Sequence, residues 1–212
     1  MNAGLSNLST LKAWLLPASM QASTDYDDQI LAIGKGVVGA MEGYCNRSFQ
    51  RVVGDTFEIS GDRMHVVLPR YPVEAQPTIE LREDLATGYV SQTYTDLVID
   101  HLLSAGLIKF GAVASTSSSR LRFTYTGGYW WELLEPTDGS YPTTQPANST
   151  AVPDDLLLAW RLQCEHVWTQ RDKLGLTIGD KPDNVYSGAL AKIKLLDGVI
   201  EILGNYRRFA LT

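Results

Sequence analysis

The stretch FTYTGGYWW (Phe123–Trp131), followed after a polar loop by VPDDLLLAWRLQCEHVWTQRD (Val152–Asp172), decides the fold. In the first piece, aromatic and β-branched residues run into a double glycine, so a strand ends there in a turn. The second piece carries a helix start signal. Pro153 stands at a first helical position, where its missing N–H costs nothing, and Asp154 and Asp155 follow where the helix dipole favours acids. Leu157, Trp160, Cys164 and Trp168 then recur at helical spacing as far as Lys173, and Gly175 ends the run. Between the two pieces, Glu135–Ala151 holds Pro136, Pro142 and Pro146 among Thr, Ser, Gly and Asn, and reads as a long loop. A strand region therefore gives way here to a helical one.

Upstream of Phe123 the period of two persists. It predicts strands at Arg51–Ile59, Met64–Leu68, Thr78–Arg82, Tyr89–Tyr94, Leu97–Ile99, Leu107–Phe110 and Leu121–Tyr125. Gly, Pro and Asp punctuate them, as in antiparallel hairpins. Before residue 49 the period is helical again. A short helix is expected at Ser9–Leu16, stopped by Pro17. A longer one runs from Thr24 or Asp25 to about Asn46, with Ile30, Ile33, Val37, Met41 and Tyr44 on one face. Beyond Gly188 two further helical stretches, Ala189–Leu196 and Gly198–Tyr206, complete the pattern. The class is α+β. Residues 1–48 and 152–212 form a helical core, 49–134 an inserted and mostly antiparallel β subdomain, and 135–151 a loop. The helices at 25–46 and 153–173 are each apolar on one face only, and are expected to bury those faces against one another.

Composition narrows the function. The 212 residues are 44% hydrophobic and 20% charged, ordinary values for a globular protein, with a net charge of −6. Such a balance argues against a dedicated nucleic-acid binder, which needs a basic footprint. No apolar run reaches the ~20 residues of a membrane span, and no secretory leader is visible, so assembly in the cytosol is expected. Cys45 and Cys164 lack metal or redox spacing and fall among apolar neighbours, where cysteine serves as a small hydrophobe.

Several motifs invite chemistry and fail on context. GKGVVG (Gly34–Gly39) matches the dinucleotide fingerprint letter for letter, with Asp55 downstream. The mechanism needs a strand before the glycines, and here a helical period runs through them. The small residues are expected instead to permit close helix–helix approach. His65, His101 and His166 are isolated, there is no GxSxG elbow, and the pairs Asp27/Asp28 and Asp154/Asp155 are explained by helix starts. No catalytic, cofactor or metal site is predicted. Tyr129, Trp130 and Trp131 are equally compatible with a core and with an exposed interface anchor. The terminal NYRRF (Asn205–Phe209) joins two arginines to two aromatics, and from Tyr206 onward the tail is expected to be loosely packed until docked.

The order of these pieces, with LKAWLL (Leu11–Leu16), MEGYCNRSFQR (Met41–Arg51) and ILGNYRRF (Ile202–Phe209), resembles the head–tail connector, or adaptor, family of tailed bacteriophages. The central β region departs from the small, nearly all-helical members and fits larger ones. The resemblance implies a virion neck subunit assembled in the host cytoplasm. It forms a homo-oligomeric, dodecameric ring beneath the portal protein and extends the DNA channel without sequence-specific binding. It needs no membrane and no cofactor, and offers a platform to a stopper or tail-completion protein. The family's C-terminal segment engages the portal, which places that role on Tyr206, Arg207, Arg208 and Phe209. Two alternatives stand beside it: another neck or tail-completion protein, and a nucleotide-dependent enzyme using Gly34–Gly39.

Overall fold

A computed structural model describes residues 3–84, 86, 88–111, 116, 118–131, 144–171 and 193–208. The fold is α+β. In chain order, α1 (Leu8–Leu15) and α2 (Asp27–Cys45) precede β1 (Val52–Ser60), β2 (His65–Val67), β3 (Thr78–Arg82) and β4 (Val90–Gln92). A single helical turn, α3 (Tyr94–Leu97), leads into β5 (Val98–Leu102), β6 (Leu107–Phe110), β7 (Arg120–Gly127) and β8 (Tyr129–Trp130). Then come β9 (Thr150–Ala151), α4 (Asp154–Thr169) and α5 (Asp197–Gly204). The chain divides into two compact units. Of the described residues, one holds those up to Cys45, Trp131, 144–146 and those from Ala151 to Arg207; the other holds those of Asn46–Trp130, Ala147–Thr150 and Arg208.

In the helical unit the start of α1 is fixed by Asn7, whose side-chain oxygen accepts the N–H of Thr10 at 2.9 Å. Lys12, buried on α1, donates to Asp27 and to the carbonyl of Ser23, each at 2.5 Å. Helix α2 stops where Asn46 takes the left-handed conformation (φ 52°), which asparagine tolerates better than most residues. Ile30, Ile33, Val37 and Met41 are buried as expected, but Cys45 takes the place expected for Tyr44, which is half-exposed. Helices α2 and α4 pack on one another, as their apolar faces require, and α5 packs on α4.

Because α4 meets both neighbours, its buried stripe is wider than a single face. Leu156, Ala159 and Gln163 join Trp160, Cys164, Val167 and Trp168, while Leu157 is only half-buried. Pro153 sits one position ahead of the first helical residue. Ile193–Leu196 is not helical, contrary to expectation, and residues 172–192 and 132–143, which hold most of the two long loops, lie outside the described residues.

The sheet unit has two antiparallel sheets, ordered β1-β7-β3-β4 and β2-β6-β5, and a short pair, β8 with β9. Along β7 the period of two is strict. Leu121, Phe123 and Tyr125 are buried with Ile79, Val66, Leu68, Ile108 and Phe110 in one cluster. Arg120, Arg122 and Thr124 point the other way, and Arg122 pairs with Glu80 on β3 at 2.8 Å. The strand expected to run to Tyr94 ends at Gln92, because Tyr94–Leu97 closes into a turn. Strand β5 is correspondingly longer at its far end than the pattern predicts.

Candidate functional site

The terminal segment singled out by its composition is held against the chain as far as it is described. After α5, the hydroxyl of Tyr206 donates to the carboxylate of Asp155, at the start of α4. The Arg207 guanidinium lies over the ring of Tyr44 at 5.1 Å, with its side chain exposed. In the sheet unit, Arg208 donates from Nη2 to the Val67 carbonyl at 2.6 Å and lies 5.5 Å from the Phe57 ring centre. Burial lowers the Arg208 pKa from its ordinary value, and its Nε finds no partner among the described residues. The expectation of a loosely packed tail therefore does not hold through Arg208. Phe209 lies outside the described residues.

The aromatic triplet is mostly interior. Tyr129 and Trp131 are buried and Trp130 is half-exposed. Tyr129 belongs to a cluster that was barely legible in the sequence pattern. Arg47, itself buried, places its guanidinium 3.3 Å from the Tyr71 ring centre and 5.3 Å from those of Phe49 and Tyr129. It also donates to the Tyr71 carbonyl. Backbone bonds lock the same place: Tyr129 N–H to Phe49 O at 2.7 Å, and Arg51 N–H to Tyr129 O at 3.0 Å. A second arginine, Arg51, forks onto both oxygens of Glu74, with Nη2 to Oε2 at 2.9 Å. These are cations held inside the unit, Arg51 by its fork onto Glu74 and Arg47 by ring faces and one carbonyl, with the Arg47 Nε left without a hydrogen-bond partner among the described residues. The only legible signal for them was the density of arginine and aromatics around MEGYCNRSFQR.

The Gly34–Gly39 stretch is the interior of α2, so its backbone N–H groups are committed to the helix and cannot cradle a pyrophosphate. Gly34 does serve close approach, both of the Ala3 backbone and of helix α1, whose Leu11 Cδ2 would lie 2.9 Å from a Cβ at this position. A Cβ there would lie 2.0 Å from the Ala3 carbonyl oxygen, and the Gly34 carbonyl accepts the indole N–H of Trp160 at 3.0 Å. Gly39 and Gly43 face open space.

The three histidines are exposed, and His101 stands edge-on to Tyr94 at 5.8 Å. Among the described residues no group of three His, Cys, Asp or Glu side chains is placed to hold a metal ion. Both cysteines are buried, and burial raises the pKa of the Cys164 thiol. No helix among the described residues is long and apolar enough to cross a membrane.

Among the described residues, exposed large apolar side chains stand singly at Val53, Met64 and Val90 and gather in two places. One lies on the outer side of α4, at Leu158 and Leu162, with Trp14 of α1 beside Arg161. The other is β5, an edge strand exposed from Ile99 to Leu102. Leu158 and Leu162 were legible as an i, i+4 pair outside the predicted apolar face. The β5 edge was not, because sheet order cannot be read from strand pattern alone.

No family model matches the sequence, and no curated protein matches it. Solved structures do. A chain in the neck of an empty GTA particle, computed with C6 symmetry, matches with a TM-score of 0.55 at 14% identity, over 97% of this chain and 90% of its own. A chain in the neck of a native GTA particle, computed with C12 symmetry, gives 0.49 at 16% identity over the same shares. At such identities the first likeness is one of fold: the chain has a fold found in the neck of a phage-like particle.

Proposed function

We propose that this chain is a structural subunit of the neck of a tailed phage or phage-like particle, a head–tail connector that assembles into a homo-oligomeric ring in the virion. One observation carries the reading: the fold likeness to a GTA neck chain extends over 97% of this chain and 90% of that one, so it is not the match of a shared motif. In this reading the ring sits beneath the portal protein, continues the DNA channel, and receives the next neck component, a stopper or tail-completion protein. A net charge of −6 suits a channel that lets DNA pass, because acidic walls repel phosphate.

The portal contact falls to the terminal segment Tyr206, Arg207, Arg208 and Phe209. Its support is chemical. Arg207 is exposed and steadied over Tyr44, so its planar fork is already oriented for a bidentate carboxylate contact. Of the aromatic triplet, Trp130 is the member with surface left to offer a partner.

The test is co-sedimentation with portal-bearing heads. A chain truncated after Asn205 should keep its secondary structure and lose attachment, and Arg207→Lys should weaken attachment while leaving the fold intact. Normal attachment of the truncated chain would move the anchor elsewhere. Heads that acquire tails normally in the absence of the chain would overturn the function itself.

A further inference from the structure

We propose that copies of this chain join head to tail, the β5 edge of one seating on the α4 face of the next that carries Leu158, Arg161 and Leu162. The inference rests on the ring in the proposed function and specifies the contact that builds it. On the helical side, Leu158 (47% exposed) and Leu162 (41%) stand one turn apart on α4, and Trp14 (44%) adjoins them through Arg161, whose guanidinium lies 3.4 Å from the Trp14 ring centre. Leucines beside a stacked Trp–Arg pair have the make-up of an interface centre rather than of free surface. The Nε of Arg161 is buried and finds no partner among the described residues, which leaves this cation incompletely satisfied within its own chain.

On the sheet side, β5 ends the three-stranded sheet with Ile99 (64% exposed) and Leu102 (54%) in the open. Natural edges are normally blunted or covered, and this one, though bulged between Val98 and Asp100, still presents apolar side chains along its open side. Between the two sits Asp100, opposite Lys109 in the β5–β6 register. On α4, Arg161 is followed one turn on by Glu165. None of these four side chains forms an ion pair with another described residue. Each patch thus offers one acid and one base, and a contact that sets Asp100 on Arg161 and Lys109 on Glu165 satisfies all four. Two β5 edges placed together would instead bring two Asp100 carboxylates into one contact, which like-charge repulsion disfavours. Joining two different patches is the arrangement that builds rings wherever the rotation between copies closes.

Cysteine cross-linking tests the contact, and it starts from a silent background because Cys45 and Cys164 are both buried. With a short bismaleimide, the purified chain carrying both Leu102→Cys and Leu162→Cys should give a ladder of dimers, trimers and higher species. An equal mixture of the two single variants should stop at the dimer. Adding Asp100→Arg to the Leu102→Cys chain should cut that dimer about tenfold, from one charge made repulsive, and Arg161→Asp on the Leu162→Cys partner should restore it. Failure of the ladder, or a Leu102→Cys chain that cross-links to itself as well as to Leu162→Cys, would overturn the contact. Native mass spectrometry of the unaltered chain separates the two levels. Ring-sized oligomers without a ladder leave the proposed function standing and reject this contact, whereas a chain monomeric at every concentration and without a ladder counts against both.

Discussion

A methyl group at Gly34 would lie 2.0 Å from the Ala3 carbonyl oxygen, a distance no non-bonded pair of carbon and oxygen atoms sustains, and the obstacle is backbone rather than a side chain that can swing away. Gly34→Ala is therefore expected to destabilise the helical unit by several kcal/mol, more than any helix-propensity gain recovers. Trp160→Ala, at a fully buried site that also loses its bond to the Gly34 carbonyl, should cost about 3–5 kcal/mol. Urea titration of both variants measures this. In the sheet unit, Tyr125 makes a different prediction. Its pKa is raised, first by burial and then by the Asp55 carboxylate. The folded value lies above the unfolded one of about 10, so the stability it contributes is complete below that pH and drains away as pH rises further. Its buried hydroxyl makes no hydrogen bond of regular geometry among the described residues, although the Arg70 backbone stands close enough to favour the ionised form a little. Tyr125→Phe should thus be nearly neutral at pH 7 and flatten the alkaline loss of stability, with Tyr94, also raised by burial, leaving part of the slope.

Among the elements, α5 depends on a residue that hydrophobic periodicity passes over. Gln163 is fully buried on α4. Its amide donates to the Lys194 carbonyl at 3.1 Å and accepts the Leu196 N–H at 2.9 Å, clamping the backbone just before α5 begins. Gln163→Leu leaves both backbone groups without that partner. It should cost about 1–3 kcal/mol for each group that stays dry, and speed hydrogen exchange in α5 before it does so in α2. The same residue explains where the sequence stops being legible. Elements with a clean period and flanking turn residues were read to the residue, as with Thr78–Arg82 and Leu107–Phe110. Missed features were decided by tertiary neighbours. Gln163 is buried because α4 packs on α5 as well as on α1 and α2, Tyr94–Leu97 turns instead of extending, and Arg47 is interior because three rings surround it. The tail was legible as a composition, but its attachment to Asp155, Tyr44 and Val67 was not, since such contacts have no periodicity.

At the scale of the whole molecule, one compact unit is nearly continuous in sequence and the other is assembled from both ends of the chain. A fragment spanning Asn46–Trp130 carries both larger sheets and its own apolar cluster. It should show β-type circular dichroism and cooperative unfolding by itself, whereas residues 1–45 alone should not form stable helices, because their apolar face has no partner. Vectorial synthesis turns this into a matter of timing. Gly34 and Trp160, which meet through a hydrogen bond, are 126 positions apart. At ribosomal rates of about 5–20 residues per second, the apolar side of α2 waits roughly 6–25 s for α4 to emerge. During that interval the nascent chain displays Ile30, Ile33, Val37 and Met41 to whatever is near, while the sheets have time to form behind them. The burden of folding in a crowded cell thus falls on α1 and α2, which are made well before the helix that completes them.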